Sequence, residues 1–160
     1  LKEYLDFAEK VDVSKIVRIN LSLLISEVIK SSNIQNKKIQ VKCPKNYFIN
    51  TDKSCLYRII FNLYENALKF GNLVKINVIK ESNYYMIFIK DNGPGIPYQQ
   101  RGQIFKPFFK IDDSRNLDKG GSGLGLSIAS ELSKKIKAKI SLRPNKSNGA
   151  IFLIRIPVKY

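Results

Sequence analysis

The chain contains no histidine and no tryptophan, a single methionine, and only two cysteines, Cys43 and Cys55, among its 160 residues. Without an imidazole, and with two thiols that lack metal-ligand spacing, a zinc set is excluded. The thiols read as reduced cysteines of a cytosolic domain. Acidic residues are scarce too: 13 Asp and Glu stand against 28 Lys and Arg, for a formal net charge of +15. No apolar run approaches the ~20 residues that span a bilayer, and no secretory leader is visible. A hydrophobic share of 44% over 160 residues suits one globular domain with a sizeable core. The first residue is Leu1 rather than Met, which points to a piece of a longer protein.

The positive charge raises nucleic acid, anionic membrane and acidic protein as partners. Lys134, Lys135, Lys137 and Lys139 form the densest basic stretch, and no aromatic residue interleaves there to stack bases. Heavy use of Ile, Lys and Asn is what an AT-rich coding bias produces. The charge therefore reads as a solvated or partner-facing surface, and no nucleic-acid partner is expected.

Periodicity orders the rest. Leu1, Leu5 and Ala8 have helical spacing and read as the end of a helix, followed by a polar connector over residues 10–15. A short strand is expected at 17–20, then a helix carrying Leu21, Leu24, Ile25, Val28 and Ile29 with Asn20 as N-cap. Residues 39–43 and 47–50 read as strands around a turn at Pro44. Thr51 or Asp52 caps a long helix to Phe70, ended by Gly71-Asn72. Strands at 74–80 and 84–90 form a hairpin. A short helix over 98–104, an irregular polar loop over 105–121, a helix over 122–136 and a last strand pair at 139–143 and 150–157 complete the chain. Strands that follow one another as hairpins argue for an α+β two-layer sandwich, a mostly antiparallel sheet with helices on one face.

Three segments carry chemistry. In Asn62-Leu-Tyr-Glu-Asn66-Ala-Leu-Lys69, the residues Asn62, Asn66 and Lys69 form a polar stripe beside an apolar one of Leu56, Ile59, Leu63, Ala67 and Phe70. A carboxamide oxygen is a neutral hard ligand for a magnesium ion that shares phosphate oxygens, and a lysine is a point charge for phosphate. Glu65 reads as solvent-facing, or as a base for water or a group behind the magnesium ligands. In Asp91-Asn-Gly93-Pro-Gly95-Ile-Pro97, a carboxylate ends a strand beside glycines against which a planar ring can lie. It can accept from the exocyclic amine of adenine, although the same residues also make an ordinary turn. In Gly120-Gly-Ser-Gly123-Leu-Gly125-Leu, glycines open a helix whose bare N–H groups suit phosphate. No Lys follows the last glycine, so this is not a Lys-Ser/Thr phosphate loop. The irregular loop before it reads as a lid.

Order and spacing of these segments resemble the catalytic and ATP-binding domain of two-component sensor histidine kinases, in the group that includes DNA gyrase, MutL proteins and a heat-shock chaperone. The likeness runs over residues 13–159, with 62–69 as the N box, 91–97 as the G1 box, 104–110 as the F box and 121–126 as the G2 box. Phe105, Phe108 and Phe109 point to the kinases, and Arg101 with Lys110-Ile-Asp-Asp-Ser-Arg115 looks most like osmosensor kinases of the EnvZ type.

The resemblance implies a Bergerat ATP-binding fold, with residues 1–12 ending a dimerisation helix and 13–160 forming the catalytic domain. It implies ATP and Mg2+ as cofactors, with Asn66 on the metal and Asn62 near the phosphates. Lys69 and Phe70 would face the nucleotide, Asp91 would hold the adenine amine, and Gly93, Gly95 and Ile96 would shape the base site. Lys110 and Arg115 would be lid cations. Gly121, Ser122, Gly123 and Gly125 would meet phosphate, Leu124 and Leu126 would pack the lid helix, and the three phenylalanines would anchor the lid. Implied partners are the phosphoacceptor dimerisation domain of the same protein and a response regulator, the whole being a homodimer anchored in the inner membrane with this domain in the cytoplasm. A serine-directed anti-sigma kinase of the same fold and a nonenzymatic basic module are the alternatives. Two places depart from the family. Lys135-Ile-Lys-Ala-Lys139 replaces a His-Gly-Gly turn, and Gly149-Ala150-Ile151 lacks the threonine hydroxyl often found near adenine. With no histidine, the chain cannot autophosphorylate alone.

Overall fold

The computed structural model describes residues 15–32, 36–111, 122–145 and 147–158. The expected helix end before residue 10, the 1–12 boundary, and Arg115, Gly120 and Gly121 lie outside them. Among the described residues seven strands form, β1 (Ile16–Asn20), β2 (Lys38–Lys42), β3 (Phe48–Asp52), β4 (Leu73–Glu81), β5 (Tyr84–Asp91), β6 (Lys139–Arg143) and β7 (Ile151–Pro157). Five of them make one sheet in the order β2-β4-β5-β7-β6, while β1 and β3 pair separately. Alternation puts one face of the large sheet inside. Val74, Ile76 and Val78 of β4, Tyr85, Ile87 and Ile89 of β5, and Phe152, Ile154 and Ile156 of β7 are all buried. Three helices close over that face: α1 (Leu21–Ser31), α2 (Lys53–Phe70) and α3 (Gly125–Lys135). This is the α+β two-layer sandwich that the hairpin pattern indicates.

Local chemistry sets the helix ends. The Asn20 Oδ1 accepts the Leu23 N–H at 3.0 Å, and the Asn20 Nδ2 donates to the Lys45 carbonyl at 2.7 Å. The Asp52 Oδ1 accepts the Cys55 N–H at 2.9 Å and starts α2, a cap whose loss costs about 1 kcal/mol. At the other end of α2, the Lys37 ammonium donates to the carbonyls of Leu68 and Gly71, a cation at the negative end of the helix dipole. Along its length Leu56, Ile59, Ile60, Leu63, Tyr64, Ala67 and Leu68 are buried, which leaves Asn62, Asn66 and Lys69 on a flank.

Two helix expectations need correction, while the two strands expected around Pro44 form and take separate partners: β2 runs parallel to β4, and β3 runs antiparallel to β1. Alternation marks a strand without naming its neighbour, and Ile39 reaches the core by joining β4. The helix expected over 98–104 is a single 3₁₀ turn, Tyr98–Gln100, followed by further turns. The helix expected from residue 122 starts at Gly125, because Gly123 takes a left-handed φ of 73°.

Candidate nucleotide-binding site

One cleft of about 710 Å³ opens at the end of the helical layer where α2, the turn after β5, the start of α3 and the β6–β7 hairpin meet. Its volume is in the range of small-ligand sites. Asn62, Asn66, Lys69 and Phe70 reach it from α2, and Asp91, Gly95 and Ile96 from the turn. Lys110, Ser122, Gly123, Gly125 and Leu126 reach it from the two sides of the undescribed 112–121 segment. Gly93 lies beneath instead, packed so closely that a Cβ there would sit 2.7 Å from the Phe70 carbonyl oxygen. Leu124 is a core residue. Of the three phenylalanines, Phe109 lines the cleft, Phe105 packs edge-on against Phe152 in the core, and Phe108 is exposed.

Asp91 closes β5 on its buried face and is only 3% exposed. Its Oδ1 accepts the Gly93 N–H at 2.8 Å and the Ala150 N–H at 3.2 Å. One oxygen is thereby occupied, and Oδ2 is left as the acceptor for a group entering the cleft. The next residue pins the turn: the Asn92 Oδ1 accepts the N–H groups of Asn72 and Leu73, each at 2.9 Å. Burial pushes the Asp91 carboxyl above its ordinary range, and the N–H groups of Gly93 and Ala150 and the charge of Lys90 pull back only in part.

The sign has two consequences. Above the raised folded value the buried carboxylate lowers stability, and that penalty fades as pH falls through it, because the folded state takes up the proton first. Protonation also turns an acceptor into a donor, so adenine-base affinity is expected to fall on mild acidification, at a pH above that of an ordinary aspartate. An NMR titration with adenosine, which has no phosphate to titrate, checks this. Constant affinity down to the ordinary carboxylate range would remove the acceptor role.

At the opposite wall, no side chain among the described residues caps α3, and the Ser122 Oγ accepts the Leu124 N–H at 3.3 Å. The first turn of the helix thus presents backbone N–H groups to the cleft. The Asn62 Nδ2 donates to the Arg58 carbonyl at 2.9 Å. Its Oδ1 faces α3, 3.3 Å from where a Cβ on Gly125 would be. The Phe108 N–H donates to the Gly123 carbonyl at 3.0 Å, which joins the two sides of the 112–121 segment. Lys69 lies with its ammonium 5.2 Å from the Phe70 ring centre.

Sequence reasoning passed over Arg143, Asn145 and Asn148 of the β6–β7 hairpin, which also line the cleft. It used Arg101 only as a family marker. The Arg101 Nε donates to the Ile96 carbonyl at 3.0 Å, and its guanidinium lies 5.7 Å from the Tyr98 ring centre, both on the rim. The turn residues Asn145, Asn148 and Gly149 are visible in the sequence, but nothing local says that this turn meets Asp91.

A carboxylate acceptor, a flank of amides and an ammonium, and an open helix start around one cleft belong to a known class. Residues 51–160 match the family described as histidine kinase-, DNA gyrase B- and HSP90-like ATPase, and the chain belongs to it. It is an ATPase domain of the kind found in sensor histidine kinases. The histidine protein kinase SaeS of Staphylococcus epidermidis is 40% identical over 104 residues, covering 62% of this chain and 30% of that protein. The sensor protein CiaH of Streptococcus pneumoniae is 32% identical over 115 residues, covering 69% of this chain and 26% of CiaH. The chain spans less than a third of the length of these relatives. Among solved structures, the catalytic domain of histidine kinase ThkA superposes with a TM-score of 0.76 at 25% identity, over 91% of this chain and 97% of that one.

Proposed function

We propose that the chain is the catalytic ATP-binding domain, residues 13–160, of a membrane-anchored homodimeric sensor kinase, with residues 1–12 ending its dimerisation helix. The domain would work on the cytoplasmic side of the membrane. In the whole protein the γ-phosphoryl of ATP would pass to a histidine on the dimerisation domain and then to an aspartate of a response regulator. The acceptor belongs to another segment, since this chain has no histidine. What the domain supplies to such a transfer is placement and charge neutralisation.

The observation that carries this reading is the convergence of Asp91, the Asn62–Asn66–Lys69 flank and the uncapped start of α3 on a single cleft. The Asp91 Oδ2 would take the adenine amine, with Gly95 and Ile96 beside the ring and Gly93 letting the turn pack under Phe70. Lys69, Lys110 and Arg115 would neutralise phosphate, and the backbone from Gly121 to Leu126 would receive it. The site also suits magnesium. Among the described residues no group of three or more His, Cys, Asp or Glu could hold a metal ion. The Asn66 carboxamide, a neutral hard ligand on the cleft wall, would be one protein ligand to a magnesium that arrives with the nucleotide and supplies charge for its phosphates. A structural neighbour, full-length ShkA, was solved in complex with AMPPNP.

Asn66→Ala tests the metal assignment. The variant should fold normally, because Asn66 is half-buried and outside the apolar stripe of α2. Calorimetry should then show ATP affinity reduced by about tenfold or more, with the gain from added magnesium abolished. An unchanged magnesium dependence would refute Asn66 as ligand.

A further inference from the structure

The helices cover one face of the large sheet, and the opposite face has a pattern that the nucleotide site does not use. Strand register places it row by row. Ile79 pairs with Met86, and Met86 with Arg155. Asn77 pairs with Phe88, and Phe88 with Leu153. Lys75 pairs with Lys90, and Lys90 with Ile151. Since paired residues share a face, Ile79, Met86, Phe88, Leu153 and Ile151 form one diagonal apolar stripe across β4, β5 and β7. Leu153 is only 4% exposed although it lies away from the core cluster, while Ile79 at the edge is 41% exposed.

Charge flanks this stripe on both sides. Lys75 and Lys90 lie along one side, and Arg155 and its partner Lys139 along the other. Lys38 and Lys42 of β2 carry the same sign to one edge of the sheet, as Lys139 of β6 does to the other. Against these cations the outward positions of the five strands hold one acid, Glu81. The ion pairs Glu27–Lys53 and Glu131–Lys134 lie on the helices, away from this face.

We propose that this face is a docking surface for an acidic amphipathic helix of a partner protein. Such a helix would lay apolar residues along the Ile79–Ile151 diagonal, with carboxylates on both flanks meeting Lys75 and Lys90 on one side and Arg155 and Lys139 on the other. Dimensions agree: five strands span roughly 20–24 Å, and a helix of about 16 residues is ~24 Å long. The side chains present decide against other anions. Among the described residues of this face Phe88 is the one aromatic without a cation over its ring, since the Arg155 guanidinium lies 3.5 Å from the Tyr84 ring centre, so the stripe offers single-stranded nucleic acid little. Of its members Ile79 alone is exposed, Met86, Phe88 and Ile151 being half-buried and Leu153 buried, so the stripe offers a lipid surface little to insert. A second copy of a chain with net charge +15 is repelled.

The test uses the whole 160-residue chain. The probe is a fluorescein-labelled helical peptide of about 16 residues, with glutamates flanking a Leu/Phe stripe. A scrambled peptide of the same composition, phosphatidylserine vesicles and a single-stranded oligonucleotide serve as competitors. The stripe peptide should bind, weaken as salt rises, and shift the NMR signals of Met86, Ile79 and Ile151. The scrambled peptide should bind at least about tenfold more weakly, and Lys75→Glu/Arg155→Glu should lower peptide affinity by about tenfold or more. ATP affinity of that variant should stay within about twofold, because neither residue lines the cleft. Equal binding of both peptides, tighter capture by vesicles or oligonucleotide through the same cations, concentration-dependent self-association through this face, or NMR shifts confined to α2 and α3 would each overturn the proposal.

Discussion

Asp91→Asn is expected to leave a folded, equally or more stable domain that has lost ATP affinity by about 100-fold or more. The two halves of this result have separate causes. The buried carboxylate carries a desolvation penalty that raises its pKa. An amide of the same shape removes that penalty, and its oxygen can still accept the N–H groups of Gly93 and Ala150, which now contact Oδ1. Those two donors then dictate the amide's orientation, and its NH₂ must take the place of Oδ2, facing the cleft. A donor meets the amine of adenine where an acceptor stood, and neither can reach water in a buried site. The same geometry predicts part of a rescue by inosine triphosphate, whose base presents a carbonyl at that position. Thermal melts and calorimetry with both nucleotides decide the matter. Lost stability with unchanged base preference would make Asp91 a structural turn residue only.

Both the legible and the hidden parts of this site have physical reasons. The α2 helix could be bounded at Thr51 or Asp52 and at Phe70 because capping residues precede a long apolar stripe, and both signals are local; the structure assigns the cap to Asp52. The β4–β5 hairpin was legible from alternation interrupted by a short polar turn, and Ser82 takes the positive φ such a turn requires. The Asn62–Asn66–Lys69 flank followed from helical spacing alone. Pairings between distant segments were hidden: the parallel β2–β4 register, the β1–β3 ribbon, and the approach of Ala150 to Asp91 across 59 positions. No residue near Pro44 says which strand will be its neighbour, and no residue near Gly149 says that it will meet the carboxylate. Leu124, by contrast, packs as the resemblance implied, its side chain in the core between two glycines of the loop.

Gly149→Ala should cause the largest loss of stability of any single methyl added to this chain's described glycines. The residue has a φ of 97°, where an L side chain is strained. An added Cβ would stand 1.9 Å from the Asp91 carbonyl oxygen and 2.7 Å from its carbon, and both are backbone atoms that no rotamer change can move aside. The hairpin must retreat, and with it goes the Ala150 N–H that orients the Asp91 carboxylate, along with the reciprocal donation of the Asp91 N–H to the Ala150 carbonyl at 3.1 Å. Asn145 resists that retreat, because its Nδ2 donates to the carbonyls of Asn148 and Gly149. The expected cost is about 3 kcal/mol or more, set against the 5–15 kcal/mol that holds a typical domain folded, and it corresponds to a melting point lower by about 10 °C. ATP affinity should fall in the fraction that remains folded, since the acceptor has lost one of the donors that aim it. Gly102→Ala is the matched control: a Cβ there meets nothing within 4 Å, and its melting point should be unchanged or slightly raised. A Gly149→Ala chain that melts with the parent and binds ATP equally well would show that the hairpin does not position Asp91.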